Sequence, residues 1–142
     1  MAEYLFRNLA EEAGRANEFN IRSAGVAALA GDPAADQAME VLGKKGITAI
    51  QEHRATPVHD ELAQGADLIL TMTQRHREII LQYYPEIGEK VFVLKEYTRL
   101  PEEGAESGYT LDIGDPWGQS VEVYEVCAEE LTVHLTRLLG LL

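Results

Sequence analysis

At 142 residues, with 46% apolar and 25% charged side chains, the chain has the make-up of one globular domain and not of a disordered or fibrous protein. Twenty-four acidic against 12 basic residues give a formal net charge of −12, which argues against nucleic acid or an anionic membrane as partner. No apolar run reaches bilayer length, and the N-terminus lacks a secretory pattern. The single cysteine, Cys127, rules out an internal disulfide framework, so the expected location is the cytoplasm. A phosphoryl substrate stays compatible with this charge if helix N–H groups and an arginine concentrate positive potential locally.

In chain order, Leu5, Leu9, Ala13 and Ala16 recur at helical spacing and predict a helix from Ala2 to about Asn17. No side chain ahead of it can cap its first N–H groups. Phe19 to Ala24 reads as a short strand leading into Ser23-Ala24-Gly25. A second helix is expected over Pro33 to Leu42, with Asp32 as N-cap, Pro33 at its first position and Gly43 or Gly46 near its end. Ile47 to Ile50 reads as a strand and Pro57 to Gln64 as a short helix. Asp67 to Thr71 is a near-continuous apolar run of the kind found in parallel sheets. Gln74 to Tyr84 reads as a helix stopped by Pro85, and Val91 to Leu94 as another buried strand. Lys95 to Gly114 is expected to be mostly loop. Gln119 to Leu139 is a long amphipathic helix carrying Val123, Val126, Leu131, Leu135 and Leu138.

Strands alternating with helices predict an α/β domain: three layers, a mostly parallel sheet with helices on both faces. Ligands of such sheets sit beyond the carboxyl ends of the strands. Ser23-Ala24-Gly25 and the stretch after Leu94 fall on that edge, which puts Asp115 on the functional side.

Asp115 is the first candidate for chemistry. Pro116 keeps it out of helical geometry, so its carboxylate is held in an extended turn, and Gly118 permits the sharp entry into the last helix. Asp-Pro is also a common turn and helix-entry signal. Trp117, the only tryptophan, suits a pocket wall or a cap on the core. Cys127 lies mid-helix between Val126 and Ala128, where a buried structural thiol fits better than a nucleophile. His53, His59, His76 and His134 show no metal-ligand spacing, and no cofactor is implied. Ser23 lacks the glycine elbow of a serine nucleophile and reads as a loop-organising hydroxyl.

Taken together, these segments resemble the low-molecular-weight protein phosphatase family, and within it the bacterial protein arginine phosphatases. The matching segments run in order. They are Met1-Ala2-Glu3-Tyr4-Leu5-Phe6, Arg22-Ser23-Ala24-Gly25-Val26, Ala66 to Thr73, Lys90 to Tyr97, then Asp115-Pro116-Trp117-Gly118 and Tyr124. The resemblance implies cysteine-dependent hydrolysis of phosphoarginine or phosphotyrosine on proteins. It places Asp115 as the acid that protonates the leaving group and then activates water. It places Trp117 on the substrate side, with Asp112 and Ser23 in support.

One departure from the family is severe. The family opens with a central strand and a loop of Cys, five residues and Arg, whereas this sequence begins at the Met that follows. It is therefore expected to be an N-terminally truncated, single phosphatase-like domain over 1–142, with the first central strand missing. Without the thiolate and the anion nest it is expected to be inactive as it stands. It is also not expected to hold the family fold as an isolated monomer, so a homodimer through the incomplete sheet is a further expectation. The alternative is a non-catalytic relic acting as a binding or oligomerising module. A response-regulator receiver fits poorly, because Asp67 begins its strand instead of ending it.

Overall fold

The computed structural model describes residues 1–104 and 108–142, which form two compact units: residues 1–57 with 115–142, and residues 58–114. The class is α/β, with a small parallel sheet flanked by helices.

In the first unit, α1 (Ala2–Glu12) buries Leu5, Phe6 and Ala10. No side chain caps its start. It ends earlier than its apolar spacing predicts, because Gly14 donates to the Glu11 carbonyl (3.0 Å) and Arg15 to that of Ala10 (2.8 Å). These bonds close the last turn and redirect the chain into a 3-10 turn at Ala16–Glu18. Phe19 to Ala24 is not a strand. Among the described residues no ladder runs beside it, and only Gly25 is bridged, in parallel with Pro57.

The expected helix start at Asp32-Pro33 is also displaced. After a turn at Gly31, Asp32 and Pro33 are held against the stretch near Arg54, with Ala55 donating to the Asp32 carbonyl (2.7 Å) and Gly31 to that of Ala55 (2.9 Å). Helix α2 therefore begins at Asp36 and runs to Lys44, with Asp32 uninvolved in capping it. The segment expected as a strand at Ile47–Ile50 turns instead into a 3-10 helix at Ala49–Glu52. Ile47, just ahead of this turn, and Ile50 within it are both buried.

The last helix of the chain, α6 (Val121–Leu141), receives α1 and α2. Its buried stripe is Tyr124, Ala128, Leu131, Leu135 and Leu138, one helical period. Val123 and Val126, expected on that face, lie a step aside and are exposed at 37% and 66%. Arg15 reaches across to the Leu139 carbonyl (2.7 Å), one of the last carbonyls of α6.

The second unit contains α3 (Asp60–Gly65), β1 (Ile69–Thr71), α4 (Gln74–Tyr83), β2 (Val91–Val93) and the one-turn α5 (Leu94–Tyr97). The strands pair in parallel, Ile69 with Val91, Leu70 with Phe92 and Thr71 with Val93. Both strands are shorter than their apolar runs: Leu94, expected to end β2, already belongs to α5. Lys95 to Gly114 is thus helical in its first turn, and its residues 105–107 lie outside the described ones. Thr73 caps α4 by accepting from the His76 N–H (3.0 Å), and Lys90 donates to the Gln64 and Ala66 carbonyls at the end of α3 (3.0 and 2.6 Å).

Candidate active site

Asp115 lies where the chain enters the turn that precedes α6. Its Oδ1 accepts the backbone N–H of Trp117 at 3.0 Å, which fixes the carboxylate against its own turn. Pro116 is buried and anchors the turn, and its carbonyl accepts from Gln119 N–H at 2.9 Å. Gly118 has φ +80°, a conformation costly to residues with a Cβ. Ser120 then caps α6 by accepting from Val123 N–H (3.4 Å), while the Gln119 carbonyl accepts from the Gln37 side chain of α2 (3.0 Å). The turn is tied down at both ends, and the Asp115 carboxylate faces solvent with Oδ2 available.

Three neighbours feel that carboxylate: Tyr124, Cys127 and the Met1 ammonium. Burial pushes the Tyr124 hydroxyl up, and the negative charge of Asp115 adds to the effect. Burial also pushes the Cys127 thiol up; the Met1 ammonium opposes this, and Glu130 and Asp115 reinforce it. A thiol raised in this way stays protonated at neutral pH, the opposite of what a nucleophilic cysteine needs. Asp115 therefore stands in an electrostatic neighbourhood that includes Tyr124, Cys127 and the start of α1, where the first helical N–H groups are uncapped.

Trp117 is 77% exposed, so it neither caps the core nor walls an enclosed cavity; its ring is presented to solvent beside Asp115. Ser23 donates to Glu3 Oε1 at 2.5 Å, and Glu3 also pairs with Arg7 at 2.7 Å. Its hydroxyl thus links the Ser23-Ala24-Gly25 segment to α1. At Gly25 an added Cβ would meet the Ala28 Cβ at 2.9 Å, so the close turn there requires glycine. Asp112, in the second unit, accepts the first N–H of α4 from Gln74 at 2.8 Å, a helix-capping role.

His53, scattered among the other histidines in the sequence, accepts or donates at Nδ1 to the Tyr4 hydroxyl (3.0 Å), their rings edge to face. Both line an open polar cleft of about 380 Å³ together with Arg7, Arg22, Arg54 and Glu52. Sequence reasoning missed this cleft, since residues from α1, from 20–23 and from 52–56 converge only through the bridge at Gly25. Among the described residues no group of His, Cys, Asp and Glu has the arrangement of a metal site.

The turn, the helices and the small parallel sheet have close counterparts in known proteins. A model of the low molecular weight phosphotyrosine protein phosphatase family matches residues 1–142, and the chain belongs to that family. The protein-arginine-phosphatase of Bacillus subtilis (strain 168) is 38% identical over 138 residues, 97% of this chain and 84% of that protein. The YwlE arginine phosphatase with a phosphorylated active-site serine superposes with a TM-score of 0.86 at 37% identity, covering 99% of this chain and 84% of its own. A low molecular weight protein tyrosine phosphatase from T. tengcongensis also gives 0.86 at 37% identity, with coverage of 99% and 88%.

Proposed function

We propose that residues 1–142 form one phosphatase-like domain that supplies the acid–base half of phosphoryl hydrolysis on proteins, at phosphoarginine or phosphotyrosine, in the cytoplasm. The observation that carries this is the Asp115 turn. An exposed carboxylate has one oxygen fixed by the Trp117 N–H and the other free, on a buried proline anchor. Such a group gives its proton to the departing nitrogen or oxygen as the P–N or P–O bond breaks. It then takes a proton from the water that attacks the phospho-enzyme. Trp117 offers an aromatic face to the substrate side chain, with the Ser23–Glu3 bond as a support.

The covalent half needs a thiolate, and Cys127 does not supply one: it is mid-helix and its thiol is pushed up by burial. These 142 residues by themselves are therefore read as not turning over. Hydrolysis of an aryl phosphate and of phosphoarginine, measured on this chain and on the same chain preceded by a family-type strand and Cys loop, tests the reading. Only the extended protein should hydrolyse, and Asp115→Ala should lower its rate by roughly 10²–10⁴-fold. Turnover by the unextended chain, or full activity in Asp115→Ala, overturns the proposal. An inert extended protein alongside phosphoprotein binding by the short chain would favour a binding module.

A further inference from the structure

The polar cleft beside α1 contains none of the residues of the Asp115 turn. In a chain with 24 acidic and 12 basic residues, three of the arginines line this one depression. Their hydrogen-bonding states differ. Arg7 is already neutralised, paired with Glu3 at 2.7 Å and donating to the Ile21 carbonyl at 2.7 Å. Arg22 gives a single long bond from Nε to the Asn20 side chain, at 3.4 Å. Arg54 gives one from Nη1 to the His53 carbonyl, at 2.7 Å.

Neither Arg22 nor Arg54 has a carboxylate partner among the described residues. A guanidinium carries five N–H donors in a rigid fork whose geometry matches a carboxylate or a phosphate. Most of that capacity is unused on both side chains, although Glu52 lines the same cleft and forms no ion pair with them. The parallel bridge of Gly25 with Pro57, and the Gly25 N–H bond to the Thr56 carbonyl (3.0 Å), hold the backbones that carry the two arginines alongside each other. Glu3 and Glu52 share the lining, so a monoanion is repelled less there than a dianion. The volume, about 380 Å³, suits a side chain and not an extended polyanion.

We propose that Arg22 and Arg54 clamp an aspartate or glutamate side chain of the protein substrate, so that the cleft selects substrates with an acidic residue near the phosphorylated one. This rests on the phosphatase reading only in taking a protein as the substrate. The test uses this chain and a short fluorescein-labelled peptide rich in glutamate, without any phosphoryl group, beside its glutamine counterpart. Binding is followed by fluorescence anisotropy at low ionic strength. The acidic peptide should bind more tightly, and Arg22→Gln and Arg54→Gln should each weaken it about threefold to tenfold. Glu52→Gln should tighten it, a change that a folding defect does not mimic. Equal affinity for the two peptides, an unchanged Arg22→Gln/Arg54→Gln double variant, or no gain in Glu52→Gln overturns the proposal. No turnover is required, so a negative result leaves the Asp115 reading standing, and an inactive extended enzyme leaves this one standing.

Discussion

The two units use similar residues to opposite ends. In residues 58–114 the apolar runs at Ile69–Thr71 and Val91–Val93 meet in register and satisfy one another through three paired positions. In residues 1–57 and 115–142 the extended segments find only isolated bridges, Gly25 with Pro57 and Pro33 with Arg54, and helices α1, α2 and α6 supply the packing. A helix closes its hydrogen bonds within itself, whereas a strand exists only with a neighbour. The irregular segments of the first unit, free of a ladder, are where Asp115, Trp117 and the arginine cleft are presented to solvent.

The largest expected effects lie in the two cores. Leu94 in the second unit and Leu42 in the first are both fully buried. Leu94→Ala and Leu42→Ala should each cost about 2–5 kcal/mol in urea unfolding, the usual range for such truncations. If Leu42→Ala costs markedly less than Leu94→Ala, the ladder-free unit is the more loosely packed, and the equivalence of the two cores fails.

A smaller effect separates two carboxylates. Asp112 caps α4 in the second unit, while Asp115 holds only its own turn in the first. Asp112→Ala should lower stability by about 0.5–2 kcal/mol, the range for lost helix caps. Asp115→Ala should stay within about 0.5 kcal/mol, as surface changes usually do. Thermal melts of the two variants decide it, and a large loss in Asp115→Ala would recast that residue as structural.

The sequence was most legible where local chemistry is self-sufficient. Gln74–Tyr83 was readable from its proline stop and Val121–Leu141 from its amphipathic period, and the β1 and β2 runs from their continuous apolar character. The Asp115-Pro116 turn was readable because proline restricts its predecessor. Pro33 misled because a helix-start signature was overridden by two backbone bonds to Ala55, a contact no local pattern announces. Phe19 to Ala24 misled because strand propensity does not provide the neighbour a strand requires. Val123 and Val126 were assigned to the wrong face because the stripe of α6 is set by Tyr124 and Ala128, one position on from Val123 and two from Val126. The arginine cleft was invisible for a similar reason: Arg7, Arg22 and Arg54 have no periodic relation in the chain.

The smallest expected effect lies at the foot of the first unit, where single side chains substitute for a ladder. Arg15 donates to Glu18 through Nε and Nη2 at 2.9–3.1 Å, and stacks over Phe19 at 5.2 Å. The hydrogen bond from Arg15 holds the Glu18 carboxyl below its usual range, against a lesser opposing effect of burial. A folded-state value below the unfolded one means the unfolded chain binds the proton more readily, so this pair adds stability at neutral pH and loses it as pH falls through the folded value. Comparing the chain with Glu18→Gln should therefore give a small stability difference at pH 7 that shrinks below about pH 4, where the free carboxyl begins to protonate. Raised salt should shrink it too, because the pair is exposed. A difference that persists unchanged at pH 2–3 would mean that Glu18 acts through packing and not through its charge, and that Arg15 holds the turn by its bond to the Leu139 carbonyl alone.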